Sequence, residues 1–91
     1  MVQSTVFLAL QTNDDTRPII EAVERDNPHA TVNRMPAMVK IDAPGRMVVR
    51  RETVEDILGM EWDLQSLHVN LISLSGNIEE TEDEFILEWK Q

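Results

Sequence analysis

Residues 2–10 alternate, with Val2, Ser4, Val6, Leu8 and Leu10 on one face and Gln3, Thr5, Phe7 and Ala9 on the other. A period of two with apolar groups on both faces predicts a largely buried strand. The polar run 11–16 breaks the pattern and supplies Asp14, Asp15 and Thr16 as N-cap candidates, with Pro18 suited to a first helical turn. Ile19, Ile20 and Val23 then form a helical stripe, with Glu21, Glu24 and Arg25 facing out. Asn27-Pro28 stops this helix.

Residues 30–35 read as a short strand that Pro36 interrupts, because proline has no N–H to give to a ladder. In the next strand Ala37, Val39 and Ile41 share one face and Met38, Lys40 and Asp42 the other. Ala43-Pro44-Gly45 fits a reverse turn, so residues 47–50 are expected to return as the second arm of a hairpin. Thr53-Val54-Glu55-Asp56 resembles a capping box with Asp in place of the usual Glu or Gln. The helix it opens is short and ends at Gly59.

Residues 63–72 fit two periods. Leu64, Leu67, His68 and Leu71 suit a helix after an Asp63 cap, whereas Leu67, Val69 and Leu71 suit a strand. The favoured reading is one helical turn at 63–66, then a strand at 67–74 with a bulge near Leu71-Ile72. Phe85, Leu87 and Trp89 alternate in a last strand, and the acidic run 79–84 is expected to turn a terminal hairpin.

Ninety-one residues make one domain, 1–91, with 1–44 and 45–91 as candidate sub-units. A chain this size has no room for a deep cavity walled on all sides. It has no cysteine, hence no disulfide and no thiolate metal site. A secretory signal and a membrane span are not expected, which makes the cytoplasm the default location. Charge is uneven. Residues 1–51 hold seven Lys/Arg against six Asp/Glu, and residues 52–91 hold Lys90 against eleven, for a net of −9. Such a chain is repelled by nucleic acid and by anionic lipid.

Chemistry is poorly provided for. His29 and His68 are the only histidines and have no metal-motif spacing. The acidic run 79–84 lacks the glycine and the ligand alternation of an EF-hand. Leu74-Ser75-Gly76 is not a nucleophile elbow, and the glycines form no phosphate loop. Residues 33–59 hold most of the positive charge and suggest a shaped surface for a partner. A small-molecule-sensing regulatory domain and a small acid–base enzyme using His68 or His29 are the competing readings.

Three segments carry a resemblance: NPHATVNRMPAMVKIDAPGRMVVRRETVEDILG, WDLQSLHVNLISLSGNIE and the closing FILEW. In order, spacing and total length the chain resembles the effector (regulatory or coupling) component of bacterial multicomponent phenol hydroxylases, in the family of methane monooxygenase component B and the toluene monooxygenase effectors. The resemblance implies an α+β fold, a βαββ unit followed by a strand–helix–hairpin unit. It implies a non-catalytic, cofactor-free chain that binds a diiron hydroxylase oligomer. A reductase carrying FAD and an iron–sulfur cluster would deliver electrons from NADH for hydroxylation of phenol to catechol. The implied hydroxylase contacts are Asn70, Ile72, Ser73 and Leu74, just before Gly76. Asn33, Arg34 and Met35 form a second candidate corner, and Met38 is an adaptable surface group beside it. Ile72, Leu74 and Met38 are expected at an apolar centre with Arg34 and Lys40 at its rim.

Overall fold

A computed structural model describes residues 4–89. The chain runs β1 (Thr5–Gln11), α1 (Arg17–Asp26), β2 (Thr31–Arg34), β3 (Met38–Pro44), β4 (Arg46–Arg50) and α2 (Arg51–Leu58). A 3-10 helix (Leu64–Asn70) and strands β5 (Leu71–Ser75), β6 (Asn77–Glu80) and β7 (Glu84–Glu88) complete it. The strands form two antiparallel sheets, ordered β2-β3-β1-β5 and β4-β7-β6, which makes the fold α+β. The first sheet therefore takes its fourth strand from the second half of the chain. Val2 and Gln3 of the first expected strand lie outside the described residues.

Alternation along β1 sets the layers. Val6, Leu8 and Leu10 are fully buried and stand in register with Ala43, Ile41 and Val39 of β3. The stripe Ile19, Ile20, Val23 of α1 joins them in one core cluster, together with Met47, Val49, Phe85 and Leu87 from the second sheet. α1 packs against α2 and β4. Burying a Val, Leu or Ile side chain contributes about 1.5–3 kcal/mol, so this shared core is the main force holding both sheets to α1.

The expected hairpin of residues 37–50 does not form. β3 already has β1 on one edge and β2 on the other, so no edge is left for β4. The chain instead turns a corner at Gly45, whose N–H donates to the Ser4 carbonyl at 2.8 Å, and β4 pairs with β7. Met47, Val48 and Val49 of β4 and Phe85, Ile86 and Leu87 of β7 are all buried, on both faces of their strands.

Residues 67–70 are not strand. The 3-10 helix continues to Asn70, and its buried residues Leu64, Leu67 and Asn70 recur every three positions, the period of that helix. Val69, inward in the strand reading, is thereby turned out to 78% exposure. The expected bulge does occur. Ala9 pairs with Ser73 and Leu10 with Leu71, which leaves Ile72 as the extra residue.

The capping box is also absent. α2 begins directly after β4, two residues before Thr53, which is buried within its first turn. The Arg51 N–H donates to the Asp83 carbonyl at 2.8 Å, so the turn of the terminal hairpin caps this helix from a distance. Glu55 instead accepts from the Trp62 N–H at 2.9 Å, and Gly59 ends the helix in the left-handed region as expected. Only Thr81, Glu82 and Asp83 of the acidic run form the turn, because Glu79 and Glu80 belong to β6; β7 stops one residue short of Trp89.

Asn27 ends α1 and is 2% exposed. Its Nδ2 donates to the Val23 and Val48 carbonyls, both at 2.8 Å, and its Oδ1 accepts from the Val48 N–H at 3.0 Å. Asn27→Ala would leave both Val48 backbone groups without these partners, at a cost of about 2 kcal/mol. Urea unfolding should show a lower midpoint with the slope unchanged. Two glycines separate backbone strain from steric strain. Gly59 (φ +75°) has open space where a Cβ would stand, whereas at Gly76 (φ +128°) that Cβ would lie 2.9 Å from Val6 Cγ1. Gly59→Ala should cost about 1 kcal/mol, and Gly76→Ala more than twice as much, by the same unfolding measurement.

Candidate protein interface

The alternation of β1 assigns each candidate side chain a face. Asn33 pairs with Lys40, Lys40 with Ala9 and Ala9 with Ser73, so these four form one row across the first sheet on the face opposite the core. Met38 lies opposite Gln11 on that same outer face. Leu74 is in register with Leu8 and packs against the core, and Arg34 is in register with Val39 on the inner side. Three strand spacings of about 4.8 Å put β2 and β5 roughly 14 Å apart, within the reach of one protein interface.

The outer face has its own polar network. Lys40 Nζ sits 4.7 Å from the centre of the Phe7 ring and 3.5 Å from Asp42 Oδ1. Asn33 Nδ2 donates to Asp42 Oδ2 at 2.7 Å and to the Lys40 carbonyl at 3.3 Å. These contacts fix Asn33 and Lys40 from within the sheet and leave Ser73 exposed at its edge.

Both candidate segments also meet at one end of the sheet. The loop between β1 and α1 lies between them. Its Thr12 N–H donates to the Ala37 carbonyl at 3.2 Å on the side of β2 and β3. On the other side Asn13 Nδ2 donates to Asn70 Oδ1 at 2.8 Å. The loop is braced internally, since the Thr16 N–H donates to Asn13 Oδ1 at 3.0 Å and the Asn13 N–H to Thr16 Oγ1 at 3.1 Å. Thr16 is the N-cap residue of α1, yet its buried hydroxyl is spent on this loop.

Large apolar side chains are exposed around this end: Met35 (43%) at the β2–β3 turn, Ile72 (48%) on the bulge, and Val69 with Met60 (66%) beyond it. Asn70 itself is buried and ties the start of β5 to the loop. Sequence reasoning missed Val69, Met60 and Asn13. The recurrence of Leu64, Leu67 and Asn70 at intervals of three was the signal that would have turned Val69 outward.

Grooves flank the loop on two sides. One of about 470 Å³ is lined by Asn13, Arg17 and Arg34, and one of about 400 Å³ by Leu58, Met60, Trp62 and Val69. A larger groove, about 810 Å³, lies under the terminal hairpin and is polar, lined by Arg51, Gln65, Glu80 and Glu82. His68 Nε2 is 2.9 Å from Glu80 Oε1, and its ring stands edge-on to Phe85. Nearby, the Ser66 hydroxyl donates to the Asp63 carbonyl at 2.6 Å and is committed there. His29 Nε2 donates to the Arg46 carbonyl at 2.9 Å. Among the described residues no group of three His, Asp or Glu side chains is placed to hold a metal ion. No described helix is long and apolar enough to cross a membrane.

The basic character of residues 33–59 is largely neutralised within the chain. Arg34 pairs with Glu24, Lys40 with Asp42, Arg46 with Glu88, Arg50 with Glu84 and Arg51 with Asp83. Arg34 and Lys40, expected at the rim of an interface, thus already have acidic neighbours.

Known proteins share this architecture. The phenol 2-monooxygenase stimulatory component DmpM of Pseudomonas sp. (strain CF600) is 48% identical over 89 residues, 98% of this chain and 99% of that protein. A chain in a solved phenol hydroxylase–regulatory protein complex superposes with a TM-score of 0.91 at 48% identity, over 96% of this chain and 100% of that chain. Regulatory protein B of soluble methane monooxygenase has the same fold, with a TM-score of 0.73 at 21% identity, over 99% of this chain and 70% of that one. The model of the MmoB/DmpM family matches residues 4–88, and with it the chain belongs to the MmoB/DmpM family.

Proposed function

We propose that this chain is the regulatory component of a multicomponent phenol hydroxylase, a single effector domain that binds the hydroxylase and stimulates hydroxylation of phenol to catechol. The observation that carries this reading is the 48% identity, over nearly the full length of both proteins, to a stimulatory component of phenol 2-monooxygenase. The match to a chain of a hydroxylase–regulatory protein complex supports it. In this reading the diiron centre belongs to the hydroxylase, and FAD and an iron–sulfur cluster to the NADH reductase. The effector contributes no reacting group and works in the cytoplasm, where NADH is.

The mechanism is differential binding. An effector moves its partner's conformational equilibrium only by as much as it binds one state better. A difference of about 2 kcal/mol changes the population ratio roughly thirtyfold. The contact surface assigned to this task is the end of the first sheet around the β1–α1 loop. Ile72 and Met35 supply exposed apolar groups, Ser73, Asn33 and Met38 belong to the outer face, and Asn70 is the brace behind them. Arg34 and Leu74 contribute from the inner side, Leu74 by seating β5 on the core.

Reconstitution tests the reading. Phenol, NADH, hydroxylase and reductase should form catechol faster, and with less NADH wasted, when this chain is added; an unchanged rate and coupling would refute the proposal. Ile72→Asp tests the surface. Ile72 is half exposed, so the variant should keep its melting temperature within a few degrees while weakening hydroxylase affinity roughly tenfold or more. Leu74→Asp is expected to destabilise the protein first, because Leu74 packs on the core.

A further inference from the structure

Val69 and Met60 are the two most exposed large apolar side chains among the described residues, and both line the same groove. Leu58 and Trp62 form its walls, and its volume is about 400 Å³. Two carboxylates, Asp15 and Glu61, lie on its rim, and neither is ion-paired to a described residue. By contrast every Lys and Arg among the described residues lies within 4.0 Å of a carboxylate. A third carboxylate of the lining, Asp14, is paired with Arg17. An apolar slot whose lip carries two carboxylates unpaired among the described residues is complementary to a protruding apolar side chain with a Lys or Arg beside it. Methionine in the wall lets the slot adapt to the shape of that side chain. The groove also reaches Asn70, so it is continuous with the contact surface assigned above.

We propose that this groove receives an apolar side chain of the hydroxylase flanked by a basic residue, and so acts as a second anchor beside Ile72. This rests on the reading of the chain as a hydroxylase effector. A second copy of the chain is a poorer occupant, because each copy carries a net charge of −9 and the same acidic lip.

The test is titration calorimetry of the full chain into the hydroxylase, with catechol formation measured alongside. The double variant Val69→Ser, Met60→Ser should keep its fold, since both side chains face solvent, and should bind roughly tenfold or more weakly. The double variant Asp15→Lys, Glu61→Lys should bind more weakly, and its affinity should lose part of the salt dependence shown by the unaltered chain. If the unaltered chain binds and stimulates while both double variants match it in affinity and salt dependence, the groove proposal is overturned and the effector reading stands. If the unaltered chain neither binds nor stimulates the hydroxylase, both are overturned. Sedimentation of the free chain covers the remaining occupant. Self-association abolished by Val69→Ser, Met60→Ser, with hydroxylase affinity unchanged, would assign the groove to a second copy and overturn the proposal.

Discussion

The end of α1 is fixed on the second sheet by one buried carboxamide. An antiparallel strand points the N–H and C=O of a given residue to the same side. Val48 of β4 turns both toward Asn27, whose side chain answers with an acceptor and a donor, as a neighbouring strand would. The same Nδ2 and the Asn27 N–H both reach the Val23 carbonyl, closing the last turn of α1. His29 continues the seal two residues on, with its Nε2 donating to the Arg46 carbonyl. Without this segment β4 would present an open edge, and unpaired edges invite pairing with other chains. The hydrophobic core supplies most of the free energy, but it does not fix where α1 ends against the second sheet. Asn27 does, because a buried amide tolerates little misplacement before a polar group is left unpaired.

That constraint reaches the proposed contact surface through α1. Once its C-terminal end is fixed on β4 and its apolar stripe lies in the core, its N-terminal end is set, and with it the β1–α1 loop. The loop holds Asn70 on one side and the β2–β3 turn on the other by single hydrogen bonds. A surface meant to bias a partner's conformation gains from being held this way, since freedom lost on binding subtracts from affinity. The apolar groups themselves sit on short and irregular pieces, namely a bulge, a 3-10 helix and a turn. Long strands would have carried them inward at every second position.

Local pattern made much of this legible. The strand at β1, the stripe and stop of α1, the end of α2 at Gly59 and the bulge at Ile72 all follow from spacing or from single residues with strong preferences. The errors came where a distant partner decided. Ala43-Pro44-Gly45 has good turn chemistry, but pairing of β3 with both β1 and β2 is a fact about residues 5–11 and 31–34, which the turn cannot report. Thr53 looked like a cap, but the true start of α2 is capped by Asp83, thirty-two residues on. Among the exposed apolar groups, Ile72 was readable because the bulge was. Val69 was not, since a period of two and a period of three give it opposite directions over so short a segment.

Charge is the remaining step from structure to action. Taken as a string, residues 33–59 hold most of the positive charge and suggest a shaped surface for a partner. In three dimensions those cations are met across strands and helix ends, and exposed pairs of this sort contribute at most about 1 kcal/mol each to stability. Their larger effect is on the field around the molecule. With the positive groups locally compensated, the uncompensated charge comes from carboxylates such as Asp15, Glu21, Glu61, Glu79 and Glu82, none of them ion-paired to a described residue. A protein of this kind approaches a basic partner surface faster than a neutral one and is turned away from acidic ones. Attraction of that sort brings the effector to its partner but cannot choose between two states of it, because it acts over about 8 Å in physiological salt, a distance larger than most conformational adjustments. The choice has to be made by short-range contacts that fit one state and not the other. On the proposed surface those would be the apolar side chains around the β1–α1 loop, with the acidic surface setting how fast a complex forms and the braced end of the first sheet setting which partner conformation it favours.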